Sequence, residues 1–276
     1  MEQWKGQNAI VTGAGSGIGA ATTKELIKNG VNVVALDLKS EQIEDLARTL
    51  NDGQNDNNTN NNRGTVYPKK CDITDEQAVK NVFSWIDSTL GGVSILVNNA
   101  GIILKTSLLD GKYSDWKLYM EVNVLAQCVC LREAFQSMTK NHINGHVVQI
   151  NSISGHNLTP YFAHKMYNAT KTAITTLCEG FRHELSLANS KIKISSISPG
   201  SVETDLFNTA NFRPSAQIKD KINLKPLDPK DIADAIVITL ATPPHVQIAE
   251  LTIIPNGSTI QPHCAPSIAQ EDIGFV

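Results

Sequence analysis

The chain has 276 residues, a length that suits one large α/β domain or two smaller domains. Lys and Arg total 24 against 27 Asp and Glu, a net charge of −3, which argues against the basic domain of a nucleic-acid-binding protein. Apolar runs of about 18 residues and a signal-peptide pattern are absent, so we expect a cytoplasmic protein without a transmembrane helix. Five cysteines without a C-x-x-C pair are typical of reduced, mostly buried thiols.

Short β-branched runs alternate along the chain with longer stretches of helical spacing. Several of the runs are nearly continuous in apolar residues, which is typical of strands buried on both faces of a parallel sheet. We therefore predict an α/β fold with a single domain, a doubly wound parallel sheet of seven strands flanked by helices. The predicted strands are Gln7–Thr12, Val31–Asp37, Thr65–Cys71, Ser94–Asn98, His146–Ser152, Ile192–Ser198 and Glu250–Ile254. The clearest predicted helices are Ala20–Asn29, Glu76–Leu90, Trp116–Thr139, Asn168–Ala188 and Asp231–Leu240.

Two segments depart from this alternation. Residues 51–62 are rich in Asn and contain no apolar residue, so we predict a mobile surface loop inserted between the second helix and the third strand. Residues 261–276 have no periodicity and are predicted to form a tail on the surface. The rest of the chain, 1–260, is predicted to be the single domain.

A glycine-rich turn, Thr12-Gly13-Ala14-Gly15-Ser16-Gly17-Ile18-Gly19, joins the first strand to a helix. Glycines let the backbone approach a pyrophosphate, whose charge then meets N–H groups at the positive end of the helix. Asp37 ends the next strand, where its carboxylate would bind adenosine ribose hydroxyls and repel a 2′-phosphate. We expect a dinucleotide site that prefers NAD; a basic residue suited to NADP is absent at Ser16 and Leu38, although the nearby Lys39 keeps NADP open.

Tyr167 and Lys171 form a Y-x-x-x-K pair, so their side chains share one face of a helix. A nearby ammonium favours the phenolate and lowers the tyrosine pKa, as a general acid/base requires. Ser152 lies at a strand end and offers a hydroxyl to a substrate oxygen. Asn123 is an amide in an apolar stretch, where a buried side chain of this kind can hold a water. Together these residues indicate an oxidoreductase site.

The T-G-x3-G-x-G turn with Asn123, Ser152 and Y-x-x-x-K resembles the short-chain dehydrogenase/reductase family. Residues 98–101 (N-N-A-G), 71–73 and 198–204 resemble further family elements, and the likeness extends over about residues 4–260. The resemblance implies a Rossmann-type fold and reversible hydride transfer between a nicotinamide cofactor and an alcohol/carbonyl pair. The residues expected to contact the cofactor are Gly13, Ser16, Gly17, Ile18, Gly19, Asp37, Leu38, Asp72, Ile73, Asn99, Ala100, Gly101, Tyr167, Lys171, Pro199, Gly200, Val202 and Thr204.

The resemblance also implies roles for the four catalytic residues. Tyr167 would exchange a proton with the substrate oxygen, and Lys171 would lower the tyrosine pKa and bind the nicotinamide ribose. Ser152 would hold the substrate oxygen, and Asn123 a water that links Lys171 to solvent. Ser152 stands three residues before Gly155, as in the family's S-x-x-G, but Ser154 has the commoner spacing to Tyr167, so both serines remain candidates and Ser152 is preferred.

Residues 4–6, 106–111, 131–138 and 196–200 resemble the branch of insect farnesol dehydrogenase-like enzymes and vertebrate dehydrogenase/reductase member 11. That branch mostly uses NADP(H), so Asp37 is a departure from it. Apolar residues in the segments 156–166 and 205–226 predict a pocket for a lipophilic, terpenoid alcohol such as farnesol or geraniol. The expected substrate contacts are Ser152, Tyr161, Phe162, Tyr167, Leu206 and Phe207. His156 is interpreted as a surface histidine, with a second acid/base role as the alternative.

Two other functions compete with an NAD-dependent alcohol dehydrogenase. One is an NADPH-dependent carbonyl or hydroxysteroid reductase, which Asp37 disfavours. The other is a non-catalytic dinucleotide-binding scaffold, for which there would be no need to keep Ser152, Tyr167, Lys171 and Asn123 together. The resemblance further implies a homodimer or homotetramer that pairs through the two long helices, 116–139 and 168–188.

Overall fold

The computed structural model describes residues 1–52, 63–156, 165–206 and 225–258. Within these ranges, seven strands form one parallel sheet in the order β3-β2-β1-β4-β5-β6-β7. Strands β2 and β3 are added on one side of β1, and β4 to β7 are added on the other. This change of side opens a crevice at the carboxyl ends of β1 and β4. The strands are β1 (Asn8–Thr12), β2 (Asn32–Asp37), β3 (Val66–Lys70), β4 (Ile95–Asn98), β5 (His146–Ile150), β6 (Lys193–Pro199) and β7 (Glu250–Ile253).

Helices cover both faces of the sheet. They are α1 (Gly17–Lys28), α2 (Ser40–Asp52), α3 (Glu76–Leu90), α4 (Tyr113–Met120), α5 (Ala126–Lys140), α6 (Lys165–Leu187) and α7 (Pro229–Leu240). Asp228 caps α7 through a reciprocal capping box, and Pro229 occupies its first turn. In the parts of the chain described, every helix is too short or too polar to cross a membrane.

Alternate strand residues enter two separate hydrophobic cores. Ala9 and Val11 of β1 pack with the apolar sides of α1, α2 and α7. Ile10 faces the opposite way and packs with α3, α5 and α6. Because both faces are covered, all five β1 side chains are buried, in agreement with the consecutive apolar residues Ala9, Ile10 and Val11. The predicted doubly wound, Rossmann-type sheet of seven strands is confirmed.

The predicted helix Trp116–Thr139 is longer and less regular than its periodicity suggested. It begins at Tyr113, ends at Lys140 and contains a π-helical turn at Glu121–Leu125. A π turn inserts one residue into the helical hydrogen-bond ladder, and such turns occur frequently at functional sites. The turn contains Asn123, which is fully buried.

The predicted loop 51–62 is wrong at its first two residues, because Asn51 and Asp52 form the end of α2. The Asn51 side chain both donates to the carbonyl of Val66 and accepts its N–H, each at 3.0 Å, so it anchors α2 to β3. Because this side-chain amide pairs with both backbone groups of a strand residue, Asn51 belongs to the folded domain and not to a surface loop. Residues 53–62 and the predicted tail 261–276 lie outside the described part of the chain.

Candidate active site

The glycine turn after β1 has backbone angles and close backbone contacts that disfavour residues with a side chain. Gly13 and Gly17 adopt positive φ angles of 65° and 49°. A Cβ at Gly19 would lie 2.1 Å from the carbonyl oxygen of Gly13, a backbone atom that cannot move aside. Ser16 precedes α1 without capping it through its side chain, so N–H groups of the first helical turn remain for a ligand. The cradle therefore fits a pyrophosphate.

Asp37 is fixed at the end of β2, beside the glycine turn. One carboxylate oxygen accepts the N–H of Gly15 at 2.9 Å, and the other accepts the N–H of Lys39 at 3.0 Å. The neighbouring Leu38 is exposed and carries no polar group. A negative charge thus stands at the place where the sequence predicts the adenosine ribose.

Thr12 connects β1 to the turn after β4 and was not singled out by the sequence. Its hydroxyl oxygen accepts the N–H groups of Asn99 and Ala100 at 2.9 and 3.0 Å. The Asn99 side chain returns a hydrogen bond to the Thr12 carbonyl at 2.8 Å. This reciprocal contact bridges the crevice between β1 and β4. The only sequence signal was its position directly before Gly13.

The remaining predicted cofactor residues lie at the same edge of the sheet. Asp72 and Ile73 follow β3, and Asp72 accepts the Thr74 N–H at 2.9 Å in a tight turn. Gly200 follows β6 and donates its N–H to the Ile253 carbonyl at 2.7 Å, while Val202 forms an isolated bridge with Leu227. Thr204 lies against the glycine turn, since a Cβ at Gly17 would be 3.0 Å from its methyl group. The structure thus brings together at the carboxyl edge Gly13, Ser16, Gly17, Ile18, Gly19, Asp37, Leu38, Asp72, Ile73, Asn99, Ala100, Gly101, Pro199, Gly200, Val202 and Thr204.

Tyr167 and Ser152 are hydrogen-bonded to each other beside the carboxyl end of β5. Tyr167 lies in the first turns of α6 and is 8% exposed, and Ser152 follows β5. Burial raises the pKa of Tyr167 above its ordinary value, and the hydrogen bond with Ser152 offsets part of that rise. This direction is opposite to the lowered tyrosine pKa that the sequence predicts. Ser152 also accepts the N–H of Ser154 at 3.1 Å. The hydrogen bond with Tyr167 described above involves Ser152, the preferred one of the two candidate serines.

Lys171 is buried one helical turn beyond Tyr167. Its Nζ donates to the carbonyl of Ile150 at 2.7 Å and lies 5.7 Å from the centroid of the Tyr167 ring. Burial lowers the pKa of Lys171 to about 8 because the charged form loses its hydration. The ammonium is held by a backbone carbonyl, and burial remains the largest influence on the pKa of Tyr167.

Asn123 holds the chain that follows β4. Its side-chain oxygen accepts the N–H of Ile102 at 2.8 Å, and its amide donates to the Ile102 carbonyl at 3.0 Å and to the hydroxyl of Thr170 at 3.2 Å. Thr170 neighbours Lys171 on α6, so Asn123 joins the π turn to the helix that carries the tyrosine and the lysine.

His156 closes the turn that begins at Ser152. Its side chain is only 10% exposed, and Nε2 lies 2.9 Å from the hydroxyl oxygen of Ser198 and 3.3 Å from a carboxylate oxygen of Glu250. The interpretation as a surface histidine is therefore wrong. The contact ties the Ser152 turn to β6 and β7, across sequence separations that no local pattern reveals.

Apolar side chains gather beside Tyr167. Ile103 and Tyr119 are buried against it, and Ile102, Leu104, Met166 and Leu206 pack on this group while keeping part of their surface accessible. Leu206 is thus the predicted substrate residue of the 205–226 segment that the structure places near the tyrosine. Tyr161, Phe162 and Phe207 lie outside the described residues.

Among the described residues, no group of three or more His, Cys, Asp and Glu side chains is placed to hold a metal ion. The cysteines of the described part are free thiols, and burial raises the pKa of Cys71 to about 11 and that of Cys130 to about 12. Such thiols are protonated and unreactive at neutral pH.

Comparison with known proteins identifies the family. The sequence model of the short chain dehydrogenases matches residues 7–214. The chain belongs to the short-chain dehydrogenase/reductase family. This short-chain dehydrogenase is 39% identical to human dehydrogenase/reductase SDR family member 11, over 93% of its length and 96% of the relative. It is also 39% identical to farnesol dehydrogenase of Aedes aegypti, over 93% of its length and 99% of that protein.

Solved structures of other short-chain dehydrogenases share its fold. The enzyme from Burkholderia phymatum in complex with NAD has a TM-score of 0.78 at 23% identity, over 91% of this chain and 90% of that one. The enzyme from Burkholderia cenocepacia in complex with NADP has a TM-score of 0.76 at 26% identity, over 91% and 97%. This short-chain dehydrogenase is accordingly an oxidoreductase of a family that binds nicotinamide dinucleotides.

Proposed function

We propose that this enzyme oxidises a lipophilic alcohol of the farnesol or geraniol type with NAD, giving the aldehyde or ketone. The observation that carries the proposal is the hydrogen-bonded pair of Tyr167 and Ser152, at the same edge of the sheet as a glycine cradle that excludes side chains. Bound in that crevice, the nicotinamide would supply the acceptor for the hydride. The pair would hold and deprotonate the alcohol.

Tyr167 and Ser152 would share the substrate oxygen. Ser152 donates its hydroxyl to that oxygen, and Tyr167 receives the proton of the alcohol as a phenolate or returns it as a phenol. Because burial keeps the ligand-free tyrosine protonated, it is ready to act as an acid. To act as a base it needs positive charge close by, and Lys171 Nζ, 5.7 Å from the ring centroid, is placed to provide it.

Asp37 supports the preference for NAD. Its two oxygens are oriented by the N–H groups of Gly15 and Lys39, so the carboxylate cannot easily swing away from a ligand. A 2′-phosphate at this place would meet a fixed negative charge and the apolar Leu38. Ribose hydroxyls would instead find an acceptor, which supports NAD as the cofactor.

The substrate class is supported by the apolar side chains around Tyr167 and by one relative. Ile102, Leu104, Met166 and Leu206 offer carbon surface next to the reacting hydroxyl. The Aedes aegypti relative is named a farnesol dehydrogenase, and the two chains align over nearly their full lengths. A lipophilic alcohol would bury its carbon chain against this surface and leave its oxygen at Ser152.

Initial rates measured with NAD and NADP side by side test the proposal, with farnesol, geraniol and a 17β-hydroxysteroid as substrates. We expect NAD with a terpenol to give the highest kcat/KM. Higher activity with NADP or with the steroid would refute it in favour of a carbonyl or hydroxysteroid reductase. Tight NAD binding without turnover of any alcohol would indicate a scaffold instead.

Tyr167→Phe tests the catalytic assignment directly, with Tyr113→Phe as the matched control. Tyr113 is an exposed tyrosine at the start of α4 and has no place in the proposed chemistry. We expect Tyr167→Phe to lose turnover while its calorimetric Kd for NAD stays within a few-fold of the wild type. Near-normal turnover of this variant would contradict the role of the tyrosine.

A further inference from the structure

Three side chains from the continuous helical stretch of α4, the π turn and α5 form hydrogen bonds with the backbone of the segment between β4 and α4. Gln127 donates to the carbonyl of Ala100 at 2.9 Å. Asn123 takes both backbone groups of Ile102, as described above. Tyr119 does the same for Leu104: its hydroxyl oxygen accepts the Leu104 N–H at 2.6 Å and donates to the Leu104 carbonyl at 2.8 Å.

The spacing explains why these contacts form a series. Positions 119, 123 and 127 follow one another at intervals of four along α4, the π turn and α5, so they share a helix face. Their partners 100, 102 and 104 are alternate residues of the opposing segment, which therefore runs antiparallel to the helix. Side chains supply the hydrogen bonds that a neighbouring strand would otherwise provide.

Of these three hydrogen-bonding side chains, Tyr119 lies nearest to the apolar surface beside Tyr167. The Tyr119 side chain is fully buried, and it packs with Ile103 and Tyr167. Leu104, directly attached to the gripped backbone, keeps part of its surface accessible next to Tyr167. Burial raises the pKa of Tyr119 to about 12, so its hydroxyl keeps the proton that it donates throughout the neutral range.

We propose that Tyr119 is a specificity-determining positioning residue: by holding both backbone groups of Leu104, it fixes the apolar wall that receives the carbon chain of the substrate beside Tyr167. The inference rests on the proposed oxidation of a lipophilic alcohol and deepens it. The Tyr119 hydroxyl forms its two hydrogen bonds with the Leu104 backbone, so we expect its effect to be on the fit of the carbon chain. The binding of a long alcohol should therefore depend on the Tyr119 hydroxyl, whereas the binding of a short alcohol should not.

Tyr119→Phe removes only the hydroxyl and leaves the ring in place. We expect the KM for farnesol to rise about tenfold, since two hydrogen bonds that fix the wall are lost. The kcat with 2-butanol, its KM, and the calorimetric Kd for NAD should stay within about twofold of the wild type. Tyr113→Phe, an exposed tyrosine on the same helix, is the control and should change none of these quantities.

Leu104→Ala is the second variant, because it shortens the wall without breaking the grip on the backbone. It should raise the KM for farnesol more than the KM for 2-butanol. An equal loss with long and short alcohols in Tyr119→Phe, or an unchanged KM for farnesol, would overturn the proposal. A lower Tm without any change in chain-length preference would mean that the hydroxyl is only structural, and would overturn it too.

Binding measurements separate this inference from the proposed function. The calorimetric Kd of farnesol is measured for the NADH complex, in which an alcohol cannot be oxidised, so the wild type and Tyr119→Phe can be compared whether or not they catalyse the proposed reaction. Wild-type farnesol binding that weakens about tenfold in the variant supports the wall, whatever the reaction. The Tyr119 proposal is rejected if the variant binds farnesol as tightly as the wild type does. It is also rejected if the wild type binds no long alcohol.

Discussion

Thr12→Val should weaken both the fold and the cofactor site, because one hydroxyl serves two backbone groups. Thr12 is fully buried, and its oxygen accepts the N–H groups of Asn99 and Ala100. Valine has the same shape but no acceptor, so both N–H groups lose their partner. A buried polar group left without a partner costs about 1–3 kcal/mol, and since Asn99 and Ala100 are only partly buried we expect about 2–4 kcal/mol in total.

Urea unfolding followed by circular dichroism measures this loss, and a Tm lower by about 4–16 °C should accompany it. The calorimetric Kd for NAD should rise, because the turn after β4 is no longer tied to the glycine cradle. Thr12→Ser keeps the hydroxyl and should recover most of both quantities. Thr49→Val, at an exposed helical threonine, controls for the substitution itself. A Thr12→Val variant within about 0.5 kcal/mol of the wild type, or a Thr12→Ser variant that is equally damaged, would refute the reasoning.

Three further substitutions test separate parts of the structure. Gly19→Ala places a Cβ against the Gly13 carbonyl and should weaken calorimetric NAD binding at least 100-fold; unaltered binding would contradict the cradle. Lys171→Met should abolish turnover but raise the free energy of unfolding at pH 7 by up to about 3 kcal/mol, because burial lowers the lysine pKa to about 8. Since the unfolded chain binds the extra proton between about pH 8 and 10.4, wild-type stability rises with pH in that window and the variant's advantage in urea should shrink there. We further propose that exposed Leu125 lies in the interface of a homodimer or homotetramer, so Leu125→Asp should lower the sedimentation mass; an unchanged mass places the interface elsewhere.

The sheet and the glycine turn could be predicted because their signals are local. Nearly continuous apolar runs are typical of strands covered on both faces, and the observed strands begin and end within a few residues of the predicted bounds. The turn Gly13–Gly19 needs glycine where φ is positive or where a Cβ would meet the backbone, and the spacing of the glycines in the sequence already indicates such a turn. Tyr167 and Lys171 lie one helical turn apart, so their neighbourhood follows from the helix alone.

The contacts that hold the site together were not predictable, because they join residues distant in sequence. His156 reaches Ser198 on β6, 42 positions away, and Thr12 reaches Asn99 across 87 positions. The π turn around Asn123 depends on the packing of the surrounding helices, and helical periodicity does not report it. The pKa of Tyr167 was predicted in the wrong direction because the motif shows the nearby lysine but not the burial.

The segment from Asn99 to Leu104 links the two halves of the proposed site. It has no strand or helix of its own, yet side chains of Thr12, Gln127, Asn123 and Tyr119 satisfy its backbone in turn. One end lies at the glycine cradle and the other at the apolar surface beside Tyr167. Because the same short segment is held at both ends, the distance between cofactor and substrate surfaces is set by hydrogen bonds from buried side chains. Substitutions of these buried polar side chains should therefore alter cofactor or substrate binding even where they remove no group that touches either ligand.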